Sequence, residues 1–228
     1  MSEYEFLKKT PLNFEINREP RCACVLLLDT SASMSGEPIR ALNEGIALFA
    51  DAIKQDRLAS LRVEPLVITF DNLVTVHGDF ITADQFNPPL LEAQGLTNMG
   101  QGILKALEVI EDRKAQYRAG GVRCFRPWIV LITDGRPTDD DEGGAFSQAV
   151  KAVRASESDK TKRVAFFAVG VEEADMSKLA EISIRKPKKL KGLAFNELFL
   201  WLSTSLIKGS SESPEVQSKL PDTTWEQA

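Results

Sequence analysis

Seven apolar residues, Cys22-Ala23-Cys24-Val25-Leu26-Leu27-Leu28, run without a break into Asp29 and then into Thr30-Ser31-Ala32-Ser33. A strand with one wet face carries a polar residue at every second position. This run carries none, so both of its faces must be covered. That requirement narrows the fold more than any other stretch: it asks for a central parallel strand between two layers. Trp128–Thr133, which ends at Asp134-Gly135, is a second continuous apolar strand, and Arg163–Val169 reads as another buried one.

Between these runs the apolar spacing changes to that of a helix. Ile39, Leu42, Ile46, Phe49 and Ile53 fall on one stripe, predicting a helix from Gly36-Glu37-Pro38 to about Gln55, with Pro38 in its first turn. A helix entered from Gly95-Leu96-Thr97-Asn98 carries Ile103, Leu107 and Ile110 and stops near Gly120-Gly121. Further helices are expected over about Ala145–Ser156, Ala174–Ser183 and Asn196–Lys208. Val63–Phe70 and Leu73–His77, joined at Asp71-Asn72, read as a hairpin. Pro65 lacks a donor, so one side of its strand should be unpaired there. Lys188–Leu193 reads as a short edge strand. Strands alternating with amphipathic helices predict an α/β, doubly wound sheet with helices on both faces. In such sheets ligands gather at the carboxyl ends of strands, near the point where strand order reverses. Asp29 and Asp134 both stand at such ends.

With 228 residues, 43% of them hydrophobic, the chain can bury a full core without staples. The expected organisation is an arm over residues 1–19, a domain over 20–208, and a disordered Ser/Pro/Glu-rich tail over 209–228. A net charge of −5 argues against nonspecific nucleic-acid binding. No signal-like start and no long apolar run are visible, so a cytoplasmic protein without a membrane partner is expected. The 3 cysteines, Cys22, Cys24 and Cys124, fit buried reduced thiols.

Asp29, Ser31 and Ser33 alternate, so in an extended segment they point the same way. Thr97 opens a helix and Asp134 ends an apolar strand. Together the five would supply two carboxylates and three hydroxyls. All are hard oxygen donors, which suit Mg²⁺, Mn²⁺ or Ca²⁺ rather than zinc or copper. Taken singly, each is equally a helix cap or a turn residue; their order along the chain sets them apart.

That order resembles the metal-ion-dependent adhesion site of the von Willebrand factor type A family, written Asp-x-Ser-x-Ser, then Thr, then Asp. The resemblance covers roughly residues 20–208. It implies six strands, five parallel and one antiparallel, the hairpin supplying the antiparallel edge. It also implies that Ser31, Ser33 and Thr97 touch Mg²⁺ (or Mn²⁺, with Ca²⁺ less suited) directly or nearly so. Asp29 and Asp134 would act as outer anchors, and a partner's Asp or Glu carboxylate would complete the shell. Phe195–Leu206 is similar to the closing helix of the bacterial tellurite-resistance Y-type subfamily, in which Pro is also usual at the position of Pro11. Core packing accounts equally for Phe199 and Trp201. The subfamily implies a role in tellurite resistance or related stress and phage-defence systems, alongside kinases, phosphatases or other products of the same operon.

The competing reading is an enzyme. Asp29-Thr30 after a buried strand is similar to phosphotransferases of the haloacid-dehalogenase type, with Asp29 as nucleophile. Those use a second Asp two residues on; here it is Ser31, so the proton shuttle is lost. Gly-x-x-x-x-Gly-Lys is absent, and His77 is the single histidine. Asp139-Asp140-Asp141-Glu142 reads as a solvated loop or a second cation site. The basic stretch Arg185–Lys191 reads as a guarded sheet edge or a surface for an acidic partner. Arg136 and Met99 flank the site.

Overall fold

The computed structural model describes residues 17–158, 163–214 and 220–227. Its strands are β1 (Cys22–Asp29), β2 (Val63–Phe70), β3 (Val74–His77), β4 (Trp128–Thr133), β5 (Ala165–Gly170) and β6 (Lys188–Lys189). They form one six-stranded sheet in the order β3-β2-β1-β4-β5-β6. β3 runs antiparallel at one edge and all other pairs are parallel. β1 is buried along its whole length, as an uninterrupted apolar run requires. Pairing with β3 begins at Val67, so Pro65 has no strand on that side.

The helices are α1 (Glu37–Gln55), α2 (Ala59–Arg62), α3 (Met99–Ala119), α4 (Ala145–Glu157), α5 (Met176–Ile182) and α6 (Phe195–Ser211). Leu42 and Phe49 of α1 and Phe199 and Leu202 of α6 pack on Leu26, Leu28 and Val130. On the other face Ile103 and Ile110 of α3, Phe146 of α4 and Leu179 of α5 pack on Val25, Leu27 and Leu131. The one apolar run of β1 thus feeds two cores by alternation. Among the described residues no helix is long and apolar enough to cross a membrane.

α3 and α4 meet at their first turns. A Cβ on Gly100 would lie 2.2 Å from the backbone nitrogen of Phe146 and 2.5 Å from the carbonyl carbon of Ala145. These are backbone atoms, so only a helix shift makes room. Gly100→Ala is therefore expected to destabilise the domain by about 1–3 kcal/mol or more, read from the urea midpoint at unchanged m-value.

At the amino ends of β1 and β2, Glu64 is buried between two cations. It accepts from Arg21 Nε at 3.1 Å, Arg113 Nε at 2.8 Å and Tyr117 OH at 2.5 Å. Nothing in the apolar pattern announces this cluster, because it places charge inside a strand and a helix that are otherwise core.

One expectation is corrected, the extent of the edge strand. The four-residue α2 lies in a stretch to which no element was assigned, its first turn capped by Asp56, whose Oδ1 accepts from Ala59 N at 2.8 Å. The edge strand is only Lys188–Lys189, not Lys188–Leu193. Within the tail expected over 209–228, α6 runs on to Ser211, and among the described residues 220–227 Trp225 is 1% exposed beside the sheet edge. A single tryptophan supplies the burial that the tail's average composition conceals. The arm's residues 1–16 lie outside the described residues; its end is tied down by Asn17, whose Nδ2 donates to Leu61 O at 2.8 Å.

Candidate metal centre

The strand order reverses between β1 and β4, and both candidate acids stand just outside that crevice. Asp29 is the last residue of β1; Asp134 follows β4 directly. Parallel pairing of Leu28 with Ile132 brings the two carboxyl ends side by side.

After Asp29 the chain leaves the sheet, and a short 3-10 turn over Ala32–Met34 folds Ser33 back beside Ser31. The two hydroxyl oxygens are 3.1 Å apart, and Ser33 Oγ donates to Asp134 Oδ1 at 2.8 Å. Asp29 is held on both oxygens: Oδ1 accepts from Ser31 N at 2.8 Å and Oδ2 from Thr133 Oγ1 at 2.5 Å. Thr133 also receives Gly135 N at 3.1 Å. Four of the five candidates are thus linked by direct hydrogen bonds or share a partner.

Thr97 arrives on a separate loop that is bracketed on two sides. Its backbone exchanges hydrogen bonds with Thr138, N to Oγ1 at 3.2 Å and O from N at 2.9 Å. On its other side Asn72, at the hairpin tip, accepts from Leu96 N at 2.9 Å and from Asn98 Nδ2 through its carbonyl at 2.8 Å. Gly135 keeps the space between Thr97 and Asp29 open. A Cβ there would sit 3.2 Å from Thr97 Oγ1 and 3.6 Å from Asp29 Oδ2. Thr97 Oγ1 and Asp29 Oδ2 therefore flank the same gap.

Burial dominates the electrostatics of the two acids. Burial pushes the Asp29 carboxyl up to about 6; hydrogen bonds from Ser31 and Thr133 oppose the rise, and the nearby Asp134 adds to it. Asp134 is likewise raised by burial, with Ser33 opposing. Two acids drawn together out of water, held by hydroxyls and backbone amides with no cationic side chain among these bonded partners, are a suitable arrangement for a hard cation. Among the described residues no group of three or more His, Cys, Asp or Glu could hold a metal. Any cation at this place would therefore rest chiefly on hydroxyls.

Sequence reasoning passed over Thr133, which orients Asp29; a threonine ending a strand of β-branched residues looks like strand filler. The acidic run has structural employment. Asp139 caps α3, accepting from Gly100 N at 3.1 Å and Gln101 N at 2.9 Å, and Asp140 pairs with Lys178 at 2.6 Å. Arg136 is exposed at the rim and pairs with Asp175 at 2.8 Å. Met99 is fully buried and packs in the core instead.

The model of the von Willebrand factor type A domain matches residues 24–197. Among solved structures, a von Willebrand factor type A protein from Catenulispora acidiphila superposes with TM-score 0.61 at 15% identity, over 82% of this chain and 43% of that one. The pilus adhesin SpaC from Lactobacillus rhamnosus GG, in its open conformation, gives 0.64 at 15% identity, over 84% of this chain and 31% of that one. The ArnB paralog VWA2 from Sulfolobus acidocaldarius gives 0.53 at 17% identity, over 83% and 45%. These are likenesses of fold, and this chain spans less than half the length of each. No curated protein matches the sequence.

Proposed function

The chain belongs to the von Willebrand factor type A family, and from that premise we propose that it is a divalent-cation-dependent protein-binding module. Domains of this family commonly serve as interaction modules. In this reading Ser31, Ser33 and Thr97 hold Mg²⁺ or Mn²⁺, while Asp29 and Asp134 orient the hydroxyls and bound water. A cation held mainly by neutral oxygens keeps its electrophilic character and favours an Asp or Glu carboxylate from a partner. The observation that supports this best is the hydrogen-bonded line Ser31–Ser33–Asp134 beside the doubly anchored Asp29.

The same anchoring speaks against the phosphotransfer reading. A nucleophilic Asp29 needs a free oxygen facing the phosphorus, yet its side chain is fully buried and hydrogen-bonded on both oxygens. The closing helix, with its likeness to the tellurite-resistance Y-type subfamily, leads us to place the module in a bacterial stress or defence system. Kinases, phosphatases or other products of one operon are then its partners. Free thiols at Cys22, Cys24 and Cys124 suit a cytoplasmic setting.

Titration calorimetry with Mg²⁺ and Mn²⁺ tests the proposal. The wild type should bind one ion saturably. Asp134→Asn, which keeps the shape but removes the anchor's charge, should weaken binding by about 10–100-fold, and Asp29→Ala by at least as much. No saturable heat with either ion, or equal affinity for the wild type and Asp29→Ala, would sink the reading.

A further inference from the structure

The C-terminal segment is read by the sheet edge in the way that peptide-binding domains read their ligands. Past the end of β6, residues 225–227 lie antiparallel beside Lys189–Lys191 through a single bridge. Lys191 N donates to Trp225 O at 2.9 Å and Gln227 N to Lys189 O at 2.8 Å, around a bridge between Leu190 and Glu226. Side chains supply the selectivity. The Trp225 ring is buried edge-on to Trp201, centroids 5.6 Å apart, with the Lys188 ammonium 5.9 Å from its centroid. Trp201 Nε1 donates to Pro221 O at 3.0 Å. Lys188 donates to Thr223 Oγ1 at 3.2 Å and pairs with Glu226. Main-chain pairing at an edge, one aromatic anchor and one ion pair make up β-strand addition.

Two features argue that this segment is held as a ligand is held. Residues 212–219, which join α6 to it, contain one aliphatic residue, Val216, among Ser, Pro, Glu, Gln and Lys. They can span roughly 26–29 Å when extended, while the path from Ser211 back along α6 to Trp201 is about 15 Å. Eight residues are more than enough in number to cover that distance, so chain connectivity alone does not force the docking. Second, among the described residues the buried Trp225 Nε1 has no hydrogen-bond partner. An unsatisfied donor weakens the docked state relative to the released one.

We propose that the groove between β6 and α6 is a peptide-recognition site for an extended protein segment bearing a tryptophan followed by a glutamate, with the chain's own C-terminal segment as its tethered occupant. A partner presenting such a segment displaces the tail and leaves the domain intact. The groove lies two strands from β4, so it is a second binding surface, separate from the candidate metal centre.

The test uses a fluorescent peptide, Leu-Pro-Asp-Thr-Thr-Trp-Glu-Gln-Ala, titrated into the full chain by anisotropy. With Trp225→Ala in the chain the pocket is vacated, and the peptide should bind saturably. In the wild type the tail competes at an effective concentration of about a millimolar, so a micromolar peptide should bind on the order of a thousandfold more weakly. Adding Lys188→Glu to Trp225→Ala should reduce binding about tenfold or more, since it reverses the charge facing Glu226. No saturable binding by a folded Trp225→Ala chain, or equal binding by both chains, overturns the proposal. Should Trp225→Ala fail to fold, hydrogen exchange on the wild type decides. Amides of Lys191 and Gln227 exchanging at least tenfold faster than those of β5 support a releasable tail; exchange at the rate of β5 means the tail is an inseparable part of the fold, and the proposal falls.

Discussion

Glu64→Ala is expected to destabilise the domain by about 3–5 kcal/mol, the usual consequence of removing one partner from a buried ion cluster. Arg21 and Arg113 are each 3% exposed and Glu64 is 2% exposed, so none of the three charges is screened by water. Removing the carboxylate takes away the charge that both guanidinium groups share and the acceptor of the Tyr117 hydroxyl. The arginines keep some acceptors: Arg113 still reaches Phe80 O at 3.1 Å and Gln116 Oε1 at 2.9 Å. Those are neutral dipoles and do not replace a counter-charge. Glu64→Gln should cost less than Glu64→Ala because an acceptor of the right shape remains. Urea unfolding at neutral pH separates the cases. A loss below about 1 kcal/mol for Glu64→Ala would mean that the cluster relaxes to water, contrary to its burial.

Phe199→Ala is expected to cost about 3–5 kcal/mol, as large-to-small changes of buried aromatics do. Phe199 is fully buried between α6 and α1, its ring 5.9 Å from that of Phe49 and tilted by 57°. It also lies over Gly45, where an added Cβ would come within 2.5 Å of the ring. The two positions are therefore coupled. Gly45→Ala alone should destabilise by overpacking, and Gly45→Ala with Phe199→Leu should recover part of that loss. A strictly additive double variant would show that the helices re-space freely, against the close approach seen here. The result also bears on the resemblance in the closing helix. If Phe199 behaves as a core residue of ordinary size, its aromatic character needs no functional explanation.

The parts of the fold legible in the sequence were those governed by one periodicity. The uninterrupted apolar runs located β1 and β4, and the three-four spacing located α1 nearly to the residue. The candidate site was legible because its residues keep a set order along the chain, two acids at strand ends with hydroxyls spaced between them. Thr133 stayed hidden since its hydroxyl points into the site from a position indistinguishable from strand. Glu64, Arg113 and Tyr117 stayed hidden because buried ion pairs break the apolar pattern that identifies cores. The docked tail stayed hidden because one tryptophan in a polar stretch leaves average composition unchanged. Each miss has the same physical root: a contact between distant segments decided the burial of a residue whose neighbours in sequence were uninformative.

The parallel pairing of β1 with β4 has a consequence for the chain's history as well as its chemistry. Ser33 and Asp134, which share a hydrogen bond, are 101 residues apart. Loops of that length close late, after local structure has formed. During synthesis the acid-hydroxyl half of the site emerges from the ribosome first and waits, without its counterpart, until β4 has been made and has zipped onto β1. No shorter nascent fragment can present the assembled pocket. Assembly of this pocket therefore reports that the sheet behind it is finished.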